Sequence, residues 1–299
     1  MKSLLSAILL ILLFDNGFAG DKSPFLSQSF DWEKTKVVTT KFGATREFMK
    51  GFTNHLNYIE IHATTLNPGK VAPGKDIQLK YDKLLILKEG QIVQTINGEK
   101  KVLTPGSVIL ANATDLLKIE NQGSIPAVYF MIQWKNPMNS PVAMNSPVAM
   151  NSPVAMNSPV AMNSPVAMNS PVAMNSPVAL APGTKSETLI WEDVTVVPTE
   201  LGSTRRFYKK PTDYLYEFEM HVTTLKKGIN SHPPHTHIDD EIILVKSGLV
   251  EEVVNDKTKP LGPGSFVLLN GNDPHGIRNI GDSPCEYFAF RFLKEKPVK

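Results

Sequence analysis

Residues Tyr216–Leu225 read YEFEMHVTTL. Apolar Phe218, Met220 and Val222 alternate with polar Glu219, His221 and Thr223, so a strand here separates an apolar face from a polar one. The first half of the chain repeats the pattern over Tyr58–Leu66, YIEIHATTL, with Glu60, His62 and Thr64 as the polar trio.

The likeness extends outward in both directions. Trp32–Gly69 and Trp191–Gly228 agree at roughly half their positions, Arg46 matching Arg205 and His62 matching His221. Further on, LILKEG pairs with ILVKSG, LTPGSVIL with LGPGSFVLL and ENQG with RNIG, which marks an internal duplication of a unit of about 110 residues. Each copy consists of short alternating or β-branched runs, EIILVKSG, LVEEVV, GSFVLL and YFAFRF in the second, broken by turn signals such as Asn255-Asp256 and Gly271-Asn272. The fold class is therefore all-β, two sandwiches or barrels, spanning 25–136 and 184–299.

Between the copies, MNSPVA repeats seven times from Met138 to Ala179. A proline every sixth residue forbids a long helix and the small side chains build no core, so 137–183 reads as a disordered linker. The perfect copies favour a tolerated expansion over a functional spacer. At the N-terminus, MKSLLSAILLILLFDNGFAG has the layout of a secretory signal peptide, 1–19, cleaved after Ala19. Its apolar run of about 11 residues is too short for a stable membrane span. The expected location is periplasmic or extracellular, and with Cys285 as the sole cysteine export brings no intrachain disulfide. A net charge of +2 without basic runs argues against nucleic acid as a partner.

The second copy alone contains HPPHTHIDDE, His232–Glu241. His235, His237 and Glu241 are two and four residues apart, so on one strand all three would point to the same face and could converge on an ion. His275 follows the turn Gly271–Pro274, where an antiparallel return strand could add a fourth ligand. His232, set off by Pro233-Pro234, reads as a solvated residue at the mouth of the site, with contact to a substrate as the alternative. His221 reads as structural, at an interface between the halves, because its counterpart His62 sits in a half without the other ligands.

His235-x-His237-x3-Glu241-x6-Gly248, followed by Pro263, an apolar strand and His275-x3-Asn279, resembles the two motifs of the cupin superfamily. Asn270 and Asn272 stand where that family often has Pro and Gly, and Asn tolerates left-handed backbone. The resemblance covers both halves and implies a bicupin: two jelly-roll barrels, with a metal inside the second held by His235, His237, Glu241 and His275. Four protein ligands saturate tetrahedral zinc but leave an octahedral ion two open positions, which favours manganese or iron, with nickel, copper or five-coordinate zinc as alternatives.

In the first half Ile77 and Leu79 replace the histidines, Lys83 replaces Glu241 and Leu117 replaces His275. That half reads as a structural or dimer-forming partner, the alternative being a separate metal-free ligand pocket. The functional expectation is a metalloenzyme acting on a small organic metabolite or sugar derivative, as a dioxygenase, isomerase, lyase or hydrolase. The alternative is a binding protein without turnover. Arg278 is a candidate substrate contact and Tyr287 either lines the barrel or packs within it.

Overall fold

The structure is a computed structural model that describes residues 23–73, 77–135 and 185–296. The expected signal peptide, 1–19, and the MNSPVA repeat lie outside the described residues. Among the described residues there is no α-helix, only one short 3-10 turn at Trp191–Asp193, and no helix long and apolar enough to cross a membrane.

The strands form two large and two small sheets, antiparallel at every pairing. Each large sheet has seven strands. In the second half the central three are Asp240–Ser247, Cys285–Leu293 and Glu217–Leu225; in the first half they are Asp82–Glu89, Ala127–Lys135 and Tyr58–Leu66. A small sheet closes each barrel, built in the second half from Lys257–Leu261, Val250–Val254 and His275–Asn279.

Strand alternation fills three cores. Phe218, Met220 and Val222 join Phe288, Phe290 and Phe292 in a cluster that also takes Ile59, Ile61, Phe130, Ile132 and Trp134 from the first half. The large sheets thus pack face to face, and Trp134 stacks on Phe218 at 5.2 Å between centroids and meets Phe292 edge-on at 5.3 Å. The opposite faces line the barrels: Leu85, Leu87, Tyr129 and Met131 in the first, Ile243, Val245, Tyr287 and Ala289 in the second.

Each half also lends a strand to the other. Gln28–Phe30 pairs with Phe266–Leu269 at the edge of the second sheet, and Glu187–Leu189 pairs with Val108–Ala111 at the edge of the first. The sequence repeats and the sheets therefore do not coincide strand for strand. The exchange covers edges that would otherwise expose unpaired backbone groups. It also explains Arg46 and Arg205, whose guanidinium groups each lie 4.2 Å from the ring centre of the tryptophan that follows an exchanged strand, Trp32 and Trp191.

Reciprocal loops add a polar clasp. Thr53 and His55 of the first half bind Asp240, through the Thr53 hydroxyl and His55 Nδ1 at 2.9 Å. In the mirror arrangement Asp82 accepts the backbone N–H of Ala113 at 3.0 Å and of Tyr214 at 3.1 Å. Burial pushes Asp82 up to about 7, only partly offset by the Thr212 hydrogen bond. A raised folded-state pKa means that this group's stabilisation is complete below pH 4 and is lost as pH rises to about 7. Urea unfolding should accordingly show Asp82→Asn gaining on the wild type between pH 5 and pH 8; an identical difference at both values refutes the assignment.

Candidate metal centre

Glu241 lies on the central strand Asp240–Ser247 of the large sheet and His275 opens the strand His275–Asn279 of the small sheet, so the site bridges the two walls of the second barrel. His235 and His237 are not on a strand. The regular strand begins only at Asp240, and the expected shared strand face is replaced by a bent segment after Pro233-Pro234. His235 is fixed by an isolated antiparallel bridge to His275, each backbone N–H donating to the other's carbonyl at 3.1 and 3.0 Å. His237 is held from the turn, whose Asn272 N–H donates to its carbonyl at 2.6 Å. Asn272 has a φ of 71°, the left-handed backbone that asparagine was expected to tolerate.

The bend brings the side chains together. One ring nitrogen from each of His235, His237 and His275 lies within 4.8 Å of the others. Glu241 Oε2 is 2.7 Å from His237 Nε2 and 3.3 Å from His275 Nε2. The cluster is graded from mouth to floor: His235 is exposed, His237 half-buried, and Glu241 and His275 are only 7% and 2% exposed.

The proton positions make this arrangement fit a cation. His237 Nδ1 is 2.8 Å from the Asp239 carbonyl and His275 Nδ1 is 2.8 Å from the Asp273 carbonyl. Carbonyl oxygens only accept, so both Nδ1 atoms carry protons, and either ring when neutral turns a bare Nε2 toward Glu241. Burial pushes Glu241 up, but its contacts with His237 and His275 outweigh that and hold it at about 2. Each Nε2 therefore either shares a proton with the carboxylate or turns a lone pair toward it, and His275 Nε2 makes no well-aligned hydrogen bond. Such a cluster is repulsive unless a proton or a cation lies inside it. Burial lowers His235, reinforced by the neighbouring imidazoles, which leaves its lone pair free for a metal. Burial also opposes charge on His275, but Glu241 raises it overall, so metal uptake would have to displace protons and would weaken as pH falls.

Other side chains surround the cluster. Arg291 is in register with Glu241 on one side and Glu219 on the other; its Nη2 donates to Asp239 and its Nε has no partner. Burial lowers His221, against the pull of Glu241 and Glu219. His221 is in register with Ala289 of the barrel core, so it lies on the barrel-interior face rather than at the interface between halves, where its neighbours Met220 and Val222 sit. Tyr287 is buried within the barrel core and its phenol is pushed up to about 12 by burial. Arg278 is exposed and alternates with the buried Ile277, so it faces outward and does not join the cluster. His232 is exposed beside His235, with ring centroids 4.1 Å apart. In the first half, Leu79 and Leu117 pack with the barrel core as expected, and Ile77 pairs with Leu117.

Arg291 was findable in the sequence: in YFAFRF it shares the parity of Tyr287, the barrel side. His55 was not. It comes from the other half, and its imidazole approaches Gly271 so closely that a Cβ there would lie 2.7 Å from Cε1, and 2.0 Å from the Ile238 carbonyl. Only glycine fits. His55 thus braces both Asp240, beside Glu241, and the turn before His275. Replacing it with alanine should weaken metal retention about tenfold, in the range of outer-shell changes. Competition with a chromogenic chelator measures this, and an unchanged affinity shows that the brace does not reach the ligands.

Residues 221–291, which contain all four clustered side chains, match the Cupin_2 family, described as Cupin domain. The C-terminal region carries a cupin domain. Over 61 residues, 20% of this chain, the sequence is 36% identical to the L-ectoine synthase of Rhodococcus opacus, covering 46% of that protein. It is 32% identical over 62 residues to that of Vibrio campbellii, covering 48%. The chain thus spans a little under half the length of these curated relatives. Among solved structures, a putative glyoxylate-induced protein from Pseudomonas aeruginosa superposes with a TM-score of 0.64 at 12% identity, over 94% of each chain. The oxalate decarboxylase of Lactobacillus farciminis, solved as a formate complex, gives 0.62 at 16% identity, over 92% of this chain and 88% of that one. The solved structures show that the chain shares their all-β fold.

Proposed function

We propose that the cupin domain holds one divalent metal ion on His235, His237, Glu241 and His275, and that the exported chain is a metal-dependent enzyme acting on a small organic acid. The observation that carries this reading is the convergence of His237 Nε2 and His275 Nε2 on Glu241 Oε2, at 2.7 and 3.3 Å, with a ring nitrogen of His235 within 4.8 Å of theirs. Three nitrogens and one oxygen favour manganese or iron, which keep positions open for a substrate. A bound ion would supply Lewis acidity at a substrate oxygen.

The remaining roles fall to the chain. Glu241, held at about 2 by its histidine contacts, is ionised near neutral pH and would offset the ion's charge. Arg291, on the same interior row, presents a guanidinium beside the site and favours an anionic substrate. His235 and His232 form the exposed rim through which such a substrate would pass. Fold neighbours that include an oxalate decarboxylase solved with formate support a small carboxylate as the substrate class. Turnover of a panel of small carboxylic acids, oxalate among them, should appear with manganese or iron restored and vanish in the metal-stripped protein. Bound metal with no turnover across the panel assigns the site to ligand capture instead.

A further inference from the structure

The barrel without metal ligands carries a charged group of its own. Across the same three central strands, Lys83 is in register with Gln133 and Gln133 with Glu60, as Glu241 is with Arg291 and Arg291 with Glu219. Both rows lie on the interior face, because Leu85 and Met131, two residues along from Lys83 and Gln133, belong to the barrel core. The signs differ. The second barrel reads acid, base, acid, while the first reads base, neutral, acid.

Glu60 is already satisfied. Its Oε2 accepts the Tyr58 hydroxyl and Gln133 Nε2 at 2.9 Å, with Lys50 Nζ at 3.8 Å, and its Oε1 lies 3.5 Å from His62 Nδ1. The His62 contact does most to hold this carboxylate down at about 2, against burial. Lys83, by contrast, makes no hydrogen bond or ion pair among the described residues. Burial pushes its ammonium down, and the attraction of Glu60 offsets this only in part. The ammonium is partly buried, keeps contact with solvent and has no fixed counter-ion. Leu79 and Leu117, which occupy two of the other three ligand positions, show that apolar residues are accommodated there. Glu60 and His62 keep side-chain exposures of 22% and 26%, so solvent reaches this row.

We infer that the first barrel binds a small monoanionic carboxylate, its charge paired with Lys83 and its apolar body set against the core that includes Leu79 and Leu117. A metal cation is repelled by Lys83. A dianion is disfavoured because one ammonium faces it and the ionised Glu60 stands two strands away. A neutral ligand leaves the ammonium uncompensated. The occupant is therefore singly charged, and the apolar surroundings select an organic anion over a hydrated inorganic one.

Butyrate is the probe, with butyramide and chloride as controls, titrated into the full chain carrying carbon-13-labelled lysine. One lysine side-chain resonance, absent from Lys83→Met, should shift saturably with butyrate. Butyramide and chloride should bind at least about tenfold more weakly, and the Lys83→Met chain should lose butyrate binding by a similar factor. Stripping metal with a chelator should leave the titration unchanged, which separates this site from the one in the second barrel. A thermal melt of Lys83→Met checks folding, and the wild-type resonance tests the site without any variant. Butyrate binding unaltered in the variant, equal binding of butyramide or chloride, or loss of the titration on metal removal each overturns the inference.

Discussion

Trp134→Ala is expected to destabilise the whole chain by about 3–5 kcal/mol, the range for deleting a large aromatic from a packed core. Trp134 is fully buried where the two large sheets meet, and its ring packs on Phe218 and Phe292 of the other half. No polar bond offsets the loss, because the indole N–H has no partner. The cluster around it is continuous from Met49 to Phe292 and the edge strands are exchanged, so neither half has a complete sheet alone. Urea unfolding followed by tryptophan fluorescence and by far-UV circular dichroism should therefore move together in one transition. A loss below about 1 kcal/mol, or two separated transitions with only the first half affected, contradicts this packing.

His275→Ala should abolish metal retention, a larger effect than the roughly 10–100-fold expected of outer-shell changes. His275 is the most buried of the clustered side chains and belongs to the opposite wall from Glu241, so its removal opens one side of the cluster. Glu241→Gln gives the sharper contrast. At a pH where both rings are neutral, the glutamine amide can donate to the Nε2 lone pairs that the carboxylate repels, and the protein should lose its metal while its metal-free form becomes more stable than metal-free wild type. Calorimetry of the two stripped proteins reads this difference. A stripped Glu241→Gln chain less stable than stripped wild type means that His237 and Glu241 form an ordinary hydrogen bond.

Much of this architecture was legible in the sequence because it depends on local alternation. Phe218, Met220 and Val222 declared one face and Glu219, His221 and Thr223 the other, and the sheets use those faces for the core between the halves and for the barrel. What alternation does not encode is which neighbour a face or an edge meets. Hence His221 was expected at the interface and lies toward the barrel, and the exchange of Gln28–Phe30 and Glu187–Leu189 left no local trace.

At the site, the residue types in HPPHTHIDDE pointed to a cluster, but the reasoning from a single strand face did not describe how it forms. Pro233-Pro234 and the turn at Asn272 bend His235 and His237 into place, and the bridge to His275 depends on a segment some 40 residues away. Arg278 looked as eligible as Arg291 by composition, and only parity against the buried Ile277 separates them. The brace from His55 could not be read at all, since it joins residues 185 positions apart.

Elemental analysis of the full chain, purified without chelators, tests the central claim most directly. The account predicts close to one divalent ion per chain, manganese or iron, lost in Glu241→Gln and kept in Lys83→Met. Wild-type protein that holds no metal even after incubation with manganese and iron contradicts it.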